Sequence, residues 1–160
     1  MIPLIIAPDT ILRQVAVAIP LPPPEKLHQL AREMFEAMIH HRGIGLAAPQ
    51  VGHSIRLVVI ATPGGPTAYV NPEVVKFSWR KVDMEEGCLS LPGVFGVVRR
   101  SQQVTVSYVT LGGKTVQEEL KGMMARVYQH EVDHLNGVLF PDRAKSIDEG
   151  SELLIKYGAT

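Results

Sequence analysis

The stretch QVTVSYVTLGGKTVQEELKGMMARVYQHEVDHLNG, residues 103–137, decides the reading of this chain. Gln103 to Thr110 reads as a strand. Leu111-Gly112-Gly113-Lys114 is a hairpin turn into a second strand, Thr115 to Leu120. Gly122 then precedes a helix over roughly Met123 to Asn136, which Gly137 closes. Strands that feed a helix, with no regular βαβ alternation, predict an α+β fold. Mainly antiparallel β-sheets would pack around that central helix.

Outward from this stretch the pattern continues. Leu27, Leu30, Ala31, Met34, Phe35, Met38 and Ile39 fall at helical spacing, after the stiff run Leu21-Pro22-Pro23-Pro24 and before Gly43. Arg56–Ala61, Thr67–Asn71 and Glu73–Trp79 read as strands, with a turn at Pro63-Gly64-Gly65-Pro66. Ser146 and Glu149 have capping-box spacing, which predicts a short terminal helix. No repeat or linker divides the 160 residues, so residues 1–160 are expected to form one domain.

The 16 basic residues balance 16 acidic ones. A neutral chain has no overall field to hold a polyanion, which argues against nucleic acid or an anionic membrane as the main partner. The apolar run at Ile2 to Ile6 is broken by Pro3 and lacks the basic start of a secretory signal. Cys88 is the only cysteine, so no intrachain disulfide can form. That fits a reducing compartment and leaves Cys88 free for thiol or metal chemistry.

The decisive helix contains His130-Glu131-Val132-Asp133-His134. Side chains four apart share a helical face, so both imidazoles can meet one metal ion. Glu131 can reach a metal-bound water without being a ligand, as in zinc-dependent hydrolases. A chance match and an exposed helix with i,i+4 contacts compete with this reading. Against them, both histidines lie beside the apolar stripe of Met124, Val127 and Leu135. Partly buried imidazoles need a partner, and a metal is one. The third ligand stays open on the residues alone. Glu149 and Glu152 lie downstream, Cys88 upstream. Cys88 could equally be a small buried hydrophobe or half of a nucleophilic Cys/His pair.

Three segments in series resemble the peptide deformylase family: Gly43-Ile44-Gly45-Leu46-Ala47-Ala48-Pro49-Gln50, Glu86-Gly87-Cys88-Leu89-Ser90, and Gln129-His130-Glu131-Val132-Asp133-His134-Leu135. The flanks Pro8–Arg13 and Leu139–Arg143 are similar too. The resemblance implies a metal-dependent hydrolase of protein biosynthesis. It would remove the formyl group from the N-terminal methionine of new bacterial or organellar proteins and release formate. It implies Cys88, His130 and His134 as ligands of one divalent metal per chain. Fe(II) is the expected ion, replaceable by nickel, cobalt or zinc. Metal-bound water would attack the formyl carbon, with Glu131 as general base and then acid. The Gln50 amide and the Leu89 backbone N–H would stabilise the oxyanion. Gly43, Ile44 and Gly45 would pair with the substrate backbone, with Gly45 and Gly87 giving room.

For the methionine pocket, Met123, Arg126 and Val127 precede His130 by seven, four and three residues and share its face, and Met84 would join them from the preceding strand, with plain core residues as the competing reading. Arg126 would line the pocket with its stem and keep its charge in water. Asp133 and Arg100 would either support the site from behind or form an exposed salt bridge. Glu85 and Glu86 are neighbours on a strand and point to opposite faces, so they form no acid/base pair. The family often has an acidic residue where this chain has His40-His41-Arg42, here expected to be solvent-exposed. The segment after Ile147 is shorter than the basic terminal helix of many bacterial members, through which transient ribosome contact would run. The resemblance places the enzyme in the bacterial cytoplasm, or in an organelle if a transit segment has been removed. A non-catalytic metal module and a zinc endopeptidase are the rivals. Glu131 and Gln50 argue against the first, and Cys88 against the second.

Overall fold

The structure is a computed structural model and describes residues 2–159. In chain order its helices and strands are α1 (Lys26–His40), β1 (Gly45–Ala47), β2 (Leu57–Thr62), β3 (Gly65–Phe77), β4 (Lys81–Gly87) and β5 (Phe95–Ser101). Then come β6 (Gln103–Val109), β7 (Thr115–Lys121), α2 (Gly122–Leu135) and β8 (Ala144–Glu149). They build a five-stranded sheet, β1-β2-β3-β6-β7, and a three-stranded sheet, β4-β5-β8. Every pairing of these strands is antiparallel. The α+β architecture around a central helix is as the sequence predicts.

The run Leu57-Val58-Val59-Ile60 shows why the sheet takes a helix on each side. All four side chains are buried. Strand side chains alternate faces. Leu57 and Val59 therefore join Ala31, Met34 and Met38 of α1. Val58 and Ile60 join Ala125, Tyr128 and Leu135 of α2. A strand with no polar face must be covered twice, and these two helices do it. A third core, built on Leu91, Val94, Val98, Leu139 and Phe140, lies under the small sheet. From Ala125 to Leu135 only His130 of α2 is more than marginally exposed. The metal-spaced histidines thus sit on the most enclosed element of the fold.

Gly137 makes the exit from α2 possible. Its φ is 71°, a left-handed conformation, and a Cβ there would overlap the Arg13 carbonyl. Arg13 in turn makes a two-point ion pair with Asp142, pinning the N-terminal segment to the chain after α2.

Three local expectations change. The two strands expected on either side of Asn71-Pro72 are one strand, β3, with register shifts on its β6 side. Asn71 takes φ 49° and bonds Ile19 N and O through its side-chain amide at 2.8 and 2.9 Å, so the proline falls in a bulge instead of ending the strand. Phe95–Ser101, not anticipated, forms β5 by pairing with β4 and β8, and Arg100 on it is buried. The helix expected from Ser146 is the strand β8. Pairing with β5 along Phe95–Val98 outweighs the local capping signal, and only a short 3-10 turn follows at Ser151–Leu153. Among the described residues, no helix is long and apolar enough to cross a membrane.

Candidate active site

On α2, His130 and His134 stand one turn apart with ring centroids separated by 5.0 Å. Cys88 comes from the turn that follows β4, 42 residues earlier. Its Sγ lies 3.3 Å from His134 Nε2. One ligand atom from each of Cys88, His130 and His134 lies within 4.8 Å of the others. Neither Glu149 nor Glu152 belongs to this group.

The donor chemistry fits a divalent cation. A thiol and two imidazoles are intermediate-to-soft ligands of the kind that hold Zn, Fe, Co or Ni. His130 donates its Nδ1–H to Glu86 Oε2 at 2.9 Å, which leaves Nε2 as the lone-pair nitrogen. Burial first, then the positive charges of His130 and Arg100, hold His134 well below the usual histidine range, so it stays neutral, the form in which an imidazole can bind a metal. At His130 burial opposes the charge, but Cys88, Glu86 and Glu131 outweigh it and raise the imidazole to about 10. A metal bound there would have to displace that proton, because a ligating imidazole is neutral.

Glu131 is 4% exposed, and its Oε2 has no hydrogen-bond partner among the described residues. Burial pushes its carboxyl up to about 7, although His130 and Arg100 pull the other way. A carboxylate poised there can both accept and return a proton near neutral pH. Gly45 of β1 leaves it room. A Cβ at Gly45 would lie 2.9 Å from both Cδ and Cγ of Glu131 and overlap its Oε1.

Gln50 reaches the centre from the 3-10 turn Ala48–Val51. Its Oε1 accepts from the Ala47 N–H at 2.9 Å. That bond fixes which end of the amide faces Cys88 and Ser90. Nε2 lies 3.2 Å from Ser90 Oγ and 3.5 Å from Cys88 Sγ.

A cleft of about 950 Å³ opens onto this centre. It is lined by Gly43, Ile44, Gly45 and Gln50 on the first side of the sequence, and by Met84, Gly87, Cys88 and Leu89 from β4 and its turn. Met123, Arg126, Val127, His130 and Glu131 complete it from α2. The structure therefore brings the sequence-selected residues together. His134 lies behind the wall at 1% exposure.

Arg126 differs in one respect. Its charge is not in water. It bonds Glu86 Oε1, Val82 O and Val98 O at 2.6, 2.6 and 3.0 Å, and only 7% of its side chain is exposed. The reason is the buried carboxylate of Glu86, which needs cations beside it. Arg100 supplies a second, at 2.6 and 3.0 Å. Burial alone would raise Glu86, but the hydrogen bonds from His130 and Arg100 hold it well below the usual carboxylate range. Arg100 continues to Asp133 at 2.8 Å, and Asp133 to Arg143 at 2.7 and 2.8 Å. Arg100 and Asp133 are 5% and 7% exposed, so theirs is an interior ion pair. Glu86 is buried and Glu85 exposed, as strand parity requires.

Sequence reasoning did not single out Glu86 as the residue that orients His130. The signal was its place two residues before Cys88 on a strand. Phe95 was also missed, because β5 was. It lines the cleft at 38% exposure, alongside Leu4 and Ile6 of the N-terminal segment.

A polypeptide deformylase family model matches residues 1–150. The peptide deformylase of Thermotoga neapolitana is 50% identical over 121 residues, 76% of this chain and 74% of that protein. That of Desulforudis audaxviator is 42% identical over 146 residues, 91% of this chain and 94% of that protein. The crystal structure of peptide deformylase from Thermotoga maritima superposes with a TM-score of 0.88 at 42% identity, covering 91% of this chain and 99% of that one. A class I type b peptide deformylase from Acinetobacter baumannii, crystallised with Met-Ala-Ser, gives 0.84 at 38% identity over 89% and 98%. The agreement of sequence and fold runs through all three motifs and nearly the whole chain, which therefore belongs to the polypeptide deformylase family.

Proposed function

We propose that this protein hydrolyses the formyl group from the N-terminal formyl-methionine of newly made proteins, releasing formate and a free amino terminus. The observation that carries this is the meeting of Cys88, His130 and His134 with Glu131 and Gln50 at the inner end of one largely apolar cleft.

Cys88, His130 and His134 would hold a divalent metal. When bound it supplies Lewis acidity, lowering the pKa of a water molecule and polarising the formyl oxygen. Glu131 takes the proton from the attacking water. It later gives that proton to the methionine nitrogen as the carbon–nitrogen bond breaks. Its elevation to about 7 suits both roles. Gln50 Nε2 donates to the oxygen as negative charge builds on it, and the Leu89 N–H is the second donor. The Ala47 bond to Gln50 Oε1 keeps that donor aimed without reorganisation. Met84, Met123, Val127 and the stem of Arg126 form the methionine pocket. Gly43, Ile44 and Gly45 run beside the substrate backbone as an added-strand site.

Fe(II) is the proposed ion, with nickel, cobalt or zinc as substitutes, because thiolate and imidazole donors accept all four. The proposed setting is the bacterial cytoplasm, with formyl-methionyl nascent chains as partners and transient contact with the ribosome.

The test is to incubate anaerobically prepared protein of measured metal content with a formyl-Met peptide and with an unformylated peptide. Formate from the first alone is expected. No formate would sink the reading. New internal ends in the second peptide would instead favour an endopeptidase.

A further inference from the structure

The mouth of the cleft has an uneven charge. His41 and Arg42, at the end of α1, line it beside Gly43 and Ile44. Arg42 is exposed, held at φ 56°, and has no salt-bridge partner among the described residues. Three other charges of the lining are paired or buried. Arg126 and Glu86 pair at 2.6 Å in the interior. Glu131 is buried at the metal ligands. Glu85, exposed on β4, also lines the cleft and is its one exposed carboxylate among the described residues. Arg42 is thus the exposed arginine without a carboxylate partner that a peptide leaving the cleft would meet.

The chain also says which part of the peptide meets it. β1 is the end strand of its sheet, so one of its edges is unpaired within that sheet. Gly45 on that strand abuts the Glu131 carboxylate and so marks the reacting end. Arg42 precedes Gly45 by three residues. The chain bends between them, so Arg42 stands at most about 10 Å from Gly45, the reach of three extended residues. A peptide running beside β1 covers that distance in about three residues.

We propose that Arg42 is a specificity-determining residue that favours nascent chains with an acidic side chain at their third or fourth position. The inference rests on the deformylase reading and adds a substrate class to it. The interaction is exposed, so it selects by a modest factor and is screened by salt.

The experiment compares kcat/KM for formate release from formyl-Met-Ala-Asp-Ala and formyl-Met-Ala-Lys-Ala, and from the pair with Asp or Lys at position four. At low salt the Asp peptide of at least one pair should be faster by about three- to tenfold. The ratio should collapse at about 1 M salt, where screening acts within about 3 Å, and invert in Arg42→Glu. Equal rates for Asp and Lys in both pairs, or an unchanged ratio in Arg42→Glu, would overturn the charge selection while leaving the deformylase reading intact. Absence of formate from every peptide would overturn both.

Discussion

Replacing Gly45 by alanine should disable the enzyme without emptying its metal site. The added Cβ would sit 2.9 Å from Cδ and Cγ of Glu131, whereas non-bonded carbons rest about 3.5–4.0 Å apart. Glu131 must therefore shift by roughly 1 Å, and a displacement of that size costs about 100-fold in rate. The backbone at Gly45 is not in the left-handed region, so alanine fits it without strain. Its effect through the unfolded chain is about 0.4–1 kcal/mol in the stabilising direction. The loss should thus appear in kcat, with thermal midpoint and metal content close to wild type. Formate release by anaerobic, metal-matched protein measures it. Adding Glu131→Gln to Gly45→Ala should cost little more than Glu131→Gln alone, because both act on one proton transfer. A metal-loaded Gly45→Ala protein with the wild-type rate would refute the reasoning.

Glu131→Gln should keep its metal and lose about 10²–10⁴ of its rate, whereas Cys88→Ala should lose metal affinity; metal analysis beside the formate assay separates them. Glu86→Gln should destabilise the protein by about 3–5 kcal/mol, since it leaves Arg100 and Arg126 without their buried partner, and a urea melt reads this directly. The same carboxylate is held below its unfolded value of 4.5, so its stabilisation is complete above about pH 4.5 and is lost as pH falls further. Glu131 has the opposite sign. Its folded value of about 7 exceeds the unfolded 4.5, so metal-free protein should lose stability as pH rises from about 4.5 to 7. Metal-free Glu131→Gln should lack that loss, and urea midpoints at the two ends of the window decide it; identical profiles would contradict the burial of a titrating Glu131.

Much of the site was legible because its spacing is local. His130 and His134 are joined by one helical turn, and Glu131 follows the first of them, so no tertiary knowledge is needed to set them on one face. Cys88 and Gln50 were legible only through the family's motifs. No periodicity links residues 50, 88 and 130. Parity separated Glu85 from Glu86 but could not say which one turns inward. The inward one, Glu86, now explains three features the sequence left uncertain or misread: the orientation of His130, the burial of Arg100, and the loss of Arg126 from solvent.

The chain by itself determined the elements whose patterns repeat within a few residues: the amphipathic α1, the hairpin β6–β7, the histidine-bearing α2. It also determined which side chains have metal-binding chemistry. Only the tertiary structure decided what depends on distant partners. β8 is a strand because β5 offers it a free edge, despite the capping signal at Ser146. Asn71-Pro72 lies within β3 because Ile19 binds the bulge. Glu131 sits near neutrality because β1 and α2 close over it, and burial of a charge is a property of the whole packing, not of neighbouring residues.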